Sequence, residues 1–356
     1  MVRDDSEIGT AAVARLAGVS AATVSNTLNR PEKVLPATRQ KVHDAIKLLD
    51  FTPNRAAAAL RQGTSRLLGL VVPDIENPFY AAVASGVAQE AALHGYTMAL
   101  YVTNDDASVE LECFARLAEL RAAGALVVPR AAHRDRLRRL ESVGTRLVFI
   151  DRTEDSYACS VVIDDVTGGR LAVDHLLERH GRRIALVNGP HRIPQCRARR
   201  RGADLAFDRA QQHPSTLTEF TVANMTIDEG YAVGLVLAER ELPDGVFCTN
   251  DQLAVGVVRG LRDAGVAVPY DVGVVGYGDL SLATEGAVQL TTVRQPKYEL
   301  GRAAVGLILS EIAVKTAAHE HTQIMFEPDL VVRDSTRDSA ALDAQVRNVE
   351  NSEPAR

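Results

Sequence analysis

The chain contains no uninterrupted apolar run long enough to cross a bilayer, so no membrane span is expected. Its opening residues, MVRDDSEIGT, are acidic and lack an apolar core, which argues against a secretory signal. Cysteine is scarce. Cys113, Cys159, Cys196 and Cys248 stand without the close pairs that metal sites and redox motifs need, and they read as reduced packing residues. No paired carboxylates, Ser/His/Asp set or metal-ligand cluster stands at a credible spacing for catalysis. These absences point to a cytoplasmic protein that is not an enzyme and needs no metal or cofactor.

What is present begins with Val13–Asn29, VARLAGVSAATVSNTLN. Val13, Ala14 and Ala17 share one helical face, Gly18 has the backbone freedom for a sharp turn, and Val19 can pack inward. Ser20 suits the N-cap of a second helix, whose buried side is Val24 and Leu28. Ala21, Ala22, Thr23, Ser25 and Asn26 fall on the other side, short enough for close approach to a groove and polar enough to bond bases or phosphates. The pattern predicts a DNA-reading helix-turn-helix, although a plain helical hairpin shares its apolar spacing. Charge favours the first reading: residues 8–61 hold eight Lys or Arg against three acids, on a chain whose net charge is −6.

Pro36 fits the first position of a third helix with a stripe of Val42, Ala45, Ile46 and Leu49. The segment from Thr52 to Gly63 is alanine-rich and helix-favouring but too short to be stable alone, as expected of a linker that folds on binding. From Arg66 strand and helix patterns alternate. Leu67–Val72, Tyr96–Val102, Ala125–Val128, Arg146–Ile150, Arg183–Val187, Gly245–Cys248 and Val272–Val275 read as strands, most of them solid apolar runs of the kind a parallel sheet buries on both faces. Two doubly wound sheets are expected, with ligands beyond the carboxyl ends of the strands. At 356 residues the chain has room for two or three domains.

The chain resembles transcription regulators of the lactose-repressor (LacI/GalR) family. The stretches that carry the likeness include VARLAGVSAATVSNTLN, TRQKVHDAI, FTPN, GLVVPDIENPFYA, GALVVP, VFIDR, VVIDDVTGG, TNDQLAVG, VPYDVGVVGYGDL, LTTVRQP, GRAA and LVVRDST, which run from Val13 to Thr336. The resemblance implies a helix-turn-helix headpiece over 8–51, a hinge helix and linker over 52–65, and a periplasmic-binding-protein-like body over 66–336. The body divides into an N-subdomain (66–162 and 293–326) and a C-subdomain (163–292 and 327–336), and the tail 337–356 reads as disordered. It further implies a repressor that binds a palindromic operator as a homodimer, under allosteric control by a small molecule such as a sugar in the inter-subdomain cleft.

Carried over by position, Ser20, Ala21, Ala22 and Asn26 read or face base edges, and Thr23, Ser25 and Asn29 contact phosphates. Leu60 is the minor-groove wedge of the hinge. The usual hinge arginine is missing from Ala57-Ala58-Ala59-Leu60, leaving Arg55 or Arg61 to supply its charge. Phe79, Tyr80, Asp151, Arg199 and Asn250 are the implied effector contacts. Members usually carry two acids after a Gly-aromatic pair, whereas this chain reads Gly276-Tyr277-Gly278-Asp279, so Asp279 or another acid must replace the first carboxylate unless the effector differs. In Arg199-Arg200-Arg201-Gly202 the second and third arginines read as a solvated face.

Two alternatives remain at this level. A solute-binding protein would share the body but not the basic headpiece. A dinucleotide-dependent enzyme would use Gly276-x-Gly278, yet the third glycine of that fingerprint falls on Ser281 and no helix clearly starts there.

Overall fold

The computed structural model describes residues 9–51, 65–129, 134–151, 158–209, 215–314 and 320–336. The chain separates into two compact units, Met1–Ser65 and Arg66–Arg356.

In the first unit α1 (Thr10–Ala17), α2 (Ala21–Asn29) and α3 (Pro36–Leu48) enclose a small core of Val13, Ala14, Val24, Val42 and Ala45. Val19, Leu28, Ile46, Leu49 and Phe51 pack against it. Gly18 ends α1 in the left-handed region at φ 66°, and the Val19 N–H donates back to the Ala14 carbonyl at 3.0 Å. Ser20 then caps α2, its Oγ accepting from the Thr23 N–H at 3.1 Å. Pro36 occupies the first turn of α3, whose N-cap, Leu35, supplies no side-chain bond.

The second unit holds two six-stranded sheets. The first has the order β11-β5-β4-β3-β1-β2, from Gln323–Phe326, Cys159–Ile163, Arg146–Ile150, Gly124–Val127, Leu67–Val72 and Thr97–Val102, all parallel. The second has the order β12-β10-β9-β8-β6-β7, from Asp329–Val331, Thr291–Arg294, Gly273–Gly278, Gly245–Cys248, Arg183–Asn188 and Thr216–Thr221, with only β12 antiparallel. Helices cover both. On the first lie α4 (Pro78–Leu93), α5 (Ala107–Glu119) and α6 (Arg134–Ser142), with α12 (Lys297–Ala313) returning from the second sheet to pack against α4. The second carries α7 (Asp165–Arg179), α8 (Pro194–Arg209), α9 (Ile227–Glu239), α10 (Asp251–Asp263) and the single turn α11 (Leu282–Glu285). A short helix therefore does follow Ser281, against the sequence expectation, but four residues make no dinucleotide-binding helix.

The chain passes between the sheets three times: after β5, after β10 and after β11. Asp164 N–H donates to the Phe326 carbonyl at 2.9 Å, which ties the first passage to the third. The pairing of β10 with β12 ties the second to the third. Among the described residues no helix is long and apolar enough to cross a membrane.

Candidate functional site

On α2 burial alternates as a groove-reading helix requires. Val24 and Thr27 are buried and Leu28 half-buried, while Ser20, Ala21, Ala22, Ser25 and Asn26 are exposed. Thr23 is half-buried, and its hydroxyl shares a 2.9 Å hydrogen bond with that of Ser20, so both hydroxyls also serve the cap. The Asn26 side chain makes no intramolecular hydrogen bond among the described residues, which leaves a donor and an acceptor for base edges. Arg15, Arg30, Lys33 and Lys41 are exposed in the same unit. The Asn29 side chain, Leu60 and Arg61 lie outside the described residues, as do Arg55 and the tail 337–356.

In the second unit a cleft opens where the carboxyl ends of the two sheets face each other. It is lined by five of the six residues expected there, Phe79, Tyr80, Asp151, Arg199 and Asn250. Asn77 starts α4 by accepting from the Phe79 N–H at 3.0 Å, which sets Phe79 and Tyr80 in the first turn with their rings edge to face, 5.1 Å between centroids. Asp151 ends β4 at φ 63°, a conformation that a short polar side chain tolerates. Its Oδ2 and its carbonyl both accept from Gln195 Nε2, at 2.7 and 2.9 Å.

Arg199 is buried and heavily engaged. Its Nε donates to Asp165 Oδ1 at 2.9 Å, its Nη1 to the Thr249 carbonyl at 2.6 Å, and its guanidinium carbon stands 3.8 Å from the Tyr277 ring centre. Burial opposes its charge, but the Asp165 carboxylate outweighs burial and holds the guanidinium firmly protonated. Burial likewise pushes the Tyr277 phenol well up, so it remains a neutral donor to Asp165 Oδ1 at 2.7 Å. The Arg199-x-x-Gly202 spacing has a packing reason. A Cβ on Gly202 would stand 2.1 Å from the Val166 carbonyl oxygen, so glycine lets α8 lie against the start of α7 and brings Arg199 to Asp165. Arg200 departs from the expected solvated face: it is half-buried, bonded to Glu219 at 3.0 Å and to Asp204, whereas Arg201 is exposed. Asn250 caps α10 through Leu253 N–H at 2.8 Å and donates to the Met225 carbonyl at 2.9 Å, so its amide shapes the wall.

Asp279 stands apart from the other expected contacts. It does not line the cleft; both its oxygens are taken by guanidinium groups, Arg294 Nε and Arg333 Nη2, each at 2.6 Å. Burial alone would raise its pKa, but these bonds hold it below the usual carboxylate range. Gly278 does reach the cleft, at φ 134°, with its carbonyl bonded to Lys297 Nζ. An acid cannot adopt that backbone without strain, so the turn itself favours glycine at this position.

Sequence reasoning passed over Asn77, Ile193, Gln195, Cys196, Met225, Tyr277, Leu280 and Gln295, which complete the lining. Gln295 is notable among them. It is buried, and its Nε2 has no hydrogen-bond partner among the described residues. Its position in the stretch LTTVRQP, directly after β10, was the available signal.

Residues 11–54 match the family described as bacterial regulatory proteins, lacI family, and residues 173–336 match the periplasmic binding protein-like domain. The PurR transcriptional repressor of Haemophilus influenzae (strain PittEE) is 32% identical over 332 residues, 91% of this chain and 97% of that protein. A lac repressor dimer bound to operator and the anti-inducer ONPF superimposes with a TM-score of 0.80 at 25% identity, covering 92% of this chain and 98% of that one. The regulator CelR in complex with cellobiose gives 0.67 at 29% identity, covering 92% and 99%.

Proposed function

The chain belongs to the lacI family of bacterial regulatory proteins, and on that premise we propose that it is a cytoplasmic repressor acting as a homodimer on a palindromic operator. It is a DNA-binding transcription regulator, and we read its body as a ligand sensor and not as an enzyme. The observation that carries the DNA reading is the exposed row Ser20, Ala21, Ala22, Ser25 and Asn26 on a helix whose other face is core. One such helix reads half a site, so two copies of the chain meet a palindrome. Asn26 is the main hydrogen-bonding reader, Ala21 and Ala22 offer methyl contacts, and Thr23, Ser25 and Asn29 meet phosphates. Leu60 wedges into the minor groove, with Arg61 on the adjacent backbone.

The effector is a small, neutral, hydroxyl-rich molecule, a sugar or a sugar-like metabolite. Supporting this are an aromatic wall of Phe79 and Tyr80, the Asp151 carboxylate, and the unpartnered Gln295 amide, which asks for an acceptor on the ligand. Arg199 is committed to Asp165 and Thr249, which disfavours an anionic ligand as the design target. Ligand binding that favours one arrangement of the two sheets lowers operator affinity, with reciprocal coupling between the sites.

Mapping of bound DNA across the genome, followed by titration of the recovered site in the presence of metabolites drawn from neighbouring genes, tests both halves. A palindromic site released by one such compound is the expected result. Binding without sequence preference overturns the DNA reading, and Leu60→Ala with undiminished operator affinity overturns the hinge.

A further inference from the structure

At the opposite end of the first sheet from the cleft, three chemically different donors converge. Cys159 opens β5, Glu311 lies in the last turn of α12, and His321 stands two residues before β11. A thiol sulfur, a carboxylate oxygen and an imidazole nitrogen there all lie within 4.8 Å of one another. Glu311 Oε1 and His321 Nδ1 are 3.2 Å apart, and the Thr322 N–H donates to Cys159 Sγ at 3.3 Å, which fixes the sulfur beside the incoming strand.

As a packing residue Cys159 needs only apolar neighbours, and the sequence reading assigned it that role. Cys159 does pack in the core of the first sheet, and it also stands beside a carboxylate that is 4% exposed. Glu311 is paired with His321, and sulfur, carboxylate and imidazole together make a donor set that a divalent transition-metal ion takes. Only His321, with 32% of its side chain exposed, opens the cluster to solvent, which provides an entry path.

Tetrahedral bonds of about 2.0–2.3 Å place donors roughly 3.3–3.8 Å apart, so the Glu311–His321 pair already stands near that separation. The other separations, within 4.8 Å, close by up to about 1.5 Å when the ion binds.

We propose that Cys159, Glu311 and His321 form a site for one divalent transition-metal ion, Zn²⁺ being the best match to sulfur, imidazole and carboxylate together, with a fourth position for water. The thiol releases its proton to solvent as the metal–sulfur bond forms. The ion ties the end of α12 and the approach to β11 onto β5, whose residue Ser160 pairs with Gln323. Its role is to staple the edge of this sheet.

The full-length protein, stripped with a chelator and titrated with Co²⁺ under anaerobic conditions, tests the site by absorption. Expected are saturation at one equivalent, a sulfur-to-cobalt charge-transfer band that Zn²⁺ abolishes, and a melting temperature that rises with Zn²⁺. Cys159→Ser should remove the band, and His321→Ala should weaken Co²⁺ binding by more than about tenfold. Should Cys159→Ser fail to fold by circular dichroism, the partly exposed His321 decides. No sulfur band, or binding unchanged in His321→Ala, overturns the site.

Discussion

Arg199 and Tyr277 donate to the same oxygen of Asp165, at 2.9 and 2.7 Å, while the guanidinium sits over the tyrosine ring. The three side chains form a closed polar unit beneath the cleft, fully engaged before any ligand arrives. Asp165→Ala leaves the Arg199 charge buried without its partner and should cost about 3–5 kcal/mol. Tyr277→Phe removes one bond to a charged group and should cost about 1.5–3 kcal/mol. Urea unfolding of both variants measures this, and a loss well under 1 kcal/mol in Asp165→Ala would show that the ion pair contributes little. Truncating Arg199 carries a comparable structural loss, which makes it a poor probe of ligand response.

Gln295 is the better probe. Gln295→Leu keeps much of the volume and removes an amide whose nitrogen has no partner among the described residues. Stability should hold or rise slightly, since a buried unsatisfied donor disappears. Effector-triggered release of DNA should weaken by about 1–3 kcal/mol in apparent ligand affinity. Operator titrations with and without ligand separate the two effects.

Asp279 sets an acid-side limit on stability. Its folded pKa lies below the unfolded value because the Arg294 and Arg333 bonds outweigh burial. A depressed carboxylate stabilises the fold above its unfolded pKa, so the contribution is present at neutral pH and drains away as pH falls below about 4. Asp279→Asn should lower stability at pH 7 and flatten this limb. Denaturation midpoints collected from pH 7 to pH 3 test the slope.

Installing an acid at Gly278 should fail. Gly278→Asp places a side chain at φ 134°, with its Cβ 3.3 Å from Asp251 Oδ2, so the variant suffers both backbone strain and a like charge. A destabilisation of at least about 1–3 kcal/mol is expected from the backbone alone. Unaltered thermal stability would contradict the turn geometry.

On the DNA side, Asn26→Ala should reduce operator affinity by about 1–3 kcal/mol, with specificity relaxed at one base pair of each half-site. Its melting temperature should stay near that of the parent chain, because the side chain is exposed. A binding panel of operators mutated one position at a time locates the base.

Local patterns made the headpiece readable: Gly18, the Ser20 cap and the stripe of Val13, Val24 and Val42 are all set by neighbours within a few turns. The central strands were equally plain, since β1, β4 and β8 are apolar runs buried along nearly their whole length. β7 was missed because it lies at a sheet edge, where Thr216, Thr218 and Glu219 interrupt the apolar pattern. Asp279 misled for a different reason: the arginines that occupy it are 15 and 54 residues away in sequence. Cys159, Glu311 and His321 also share no local motif, and only the packing of α12 and β11 against β5 brings them together.

The three passages between the sheets run side by side, with the third laced to both of the others. A single connecting strand would let the halves twist and slide in any direction. Three in a row act like a leather strap hinge: they resist torsion and shear and leave one easy axis of bending. Ligands of varied shape in the cleft are therefore expected to act through one bending motion between the sheets, whichever contacts they make.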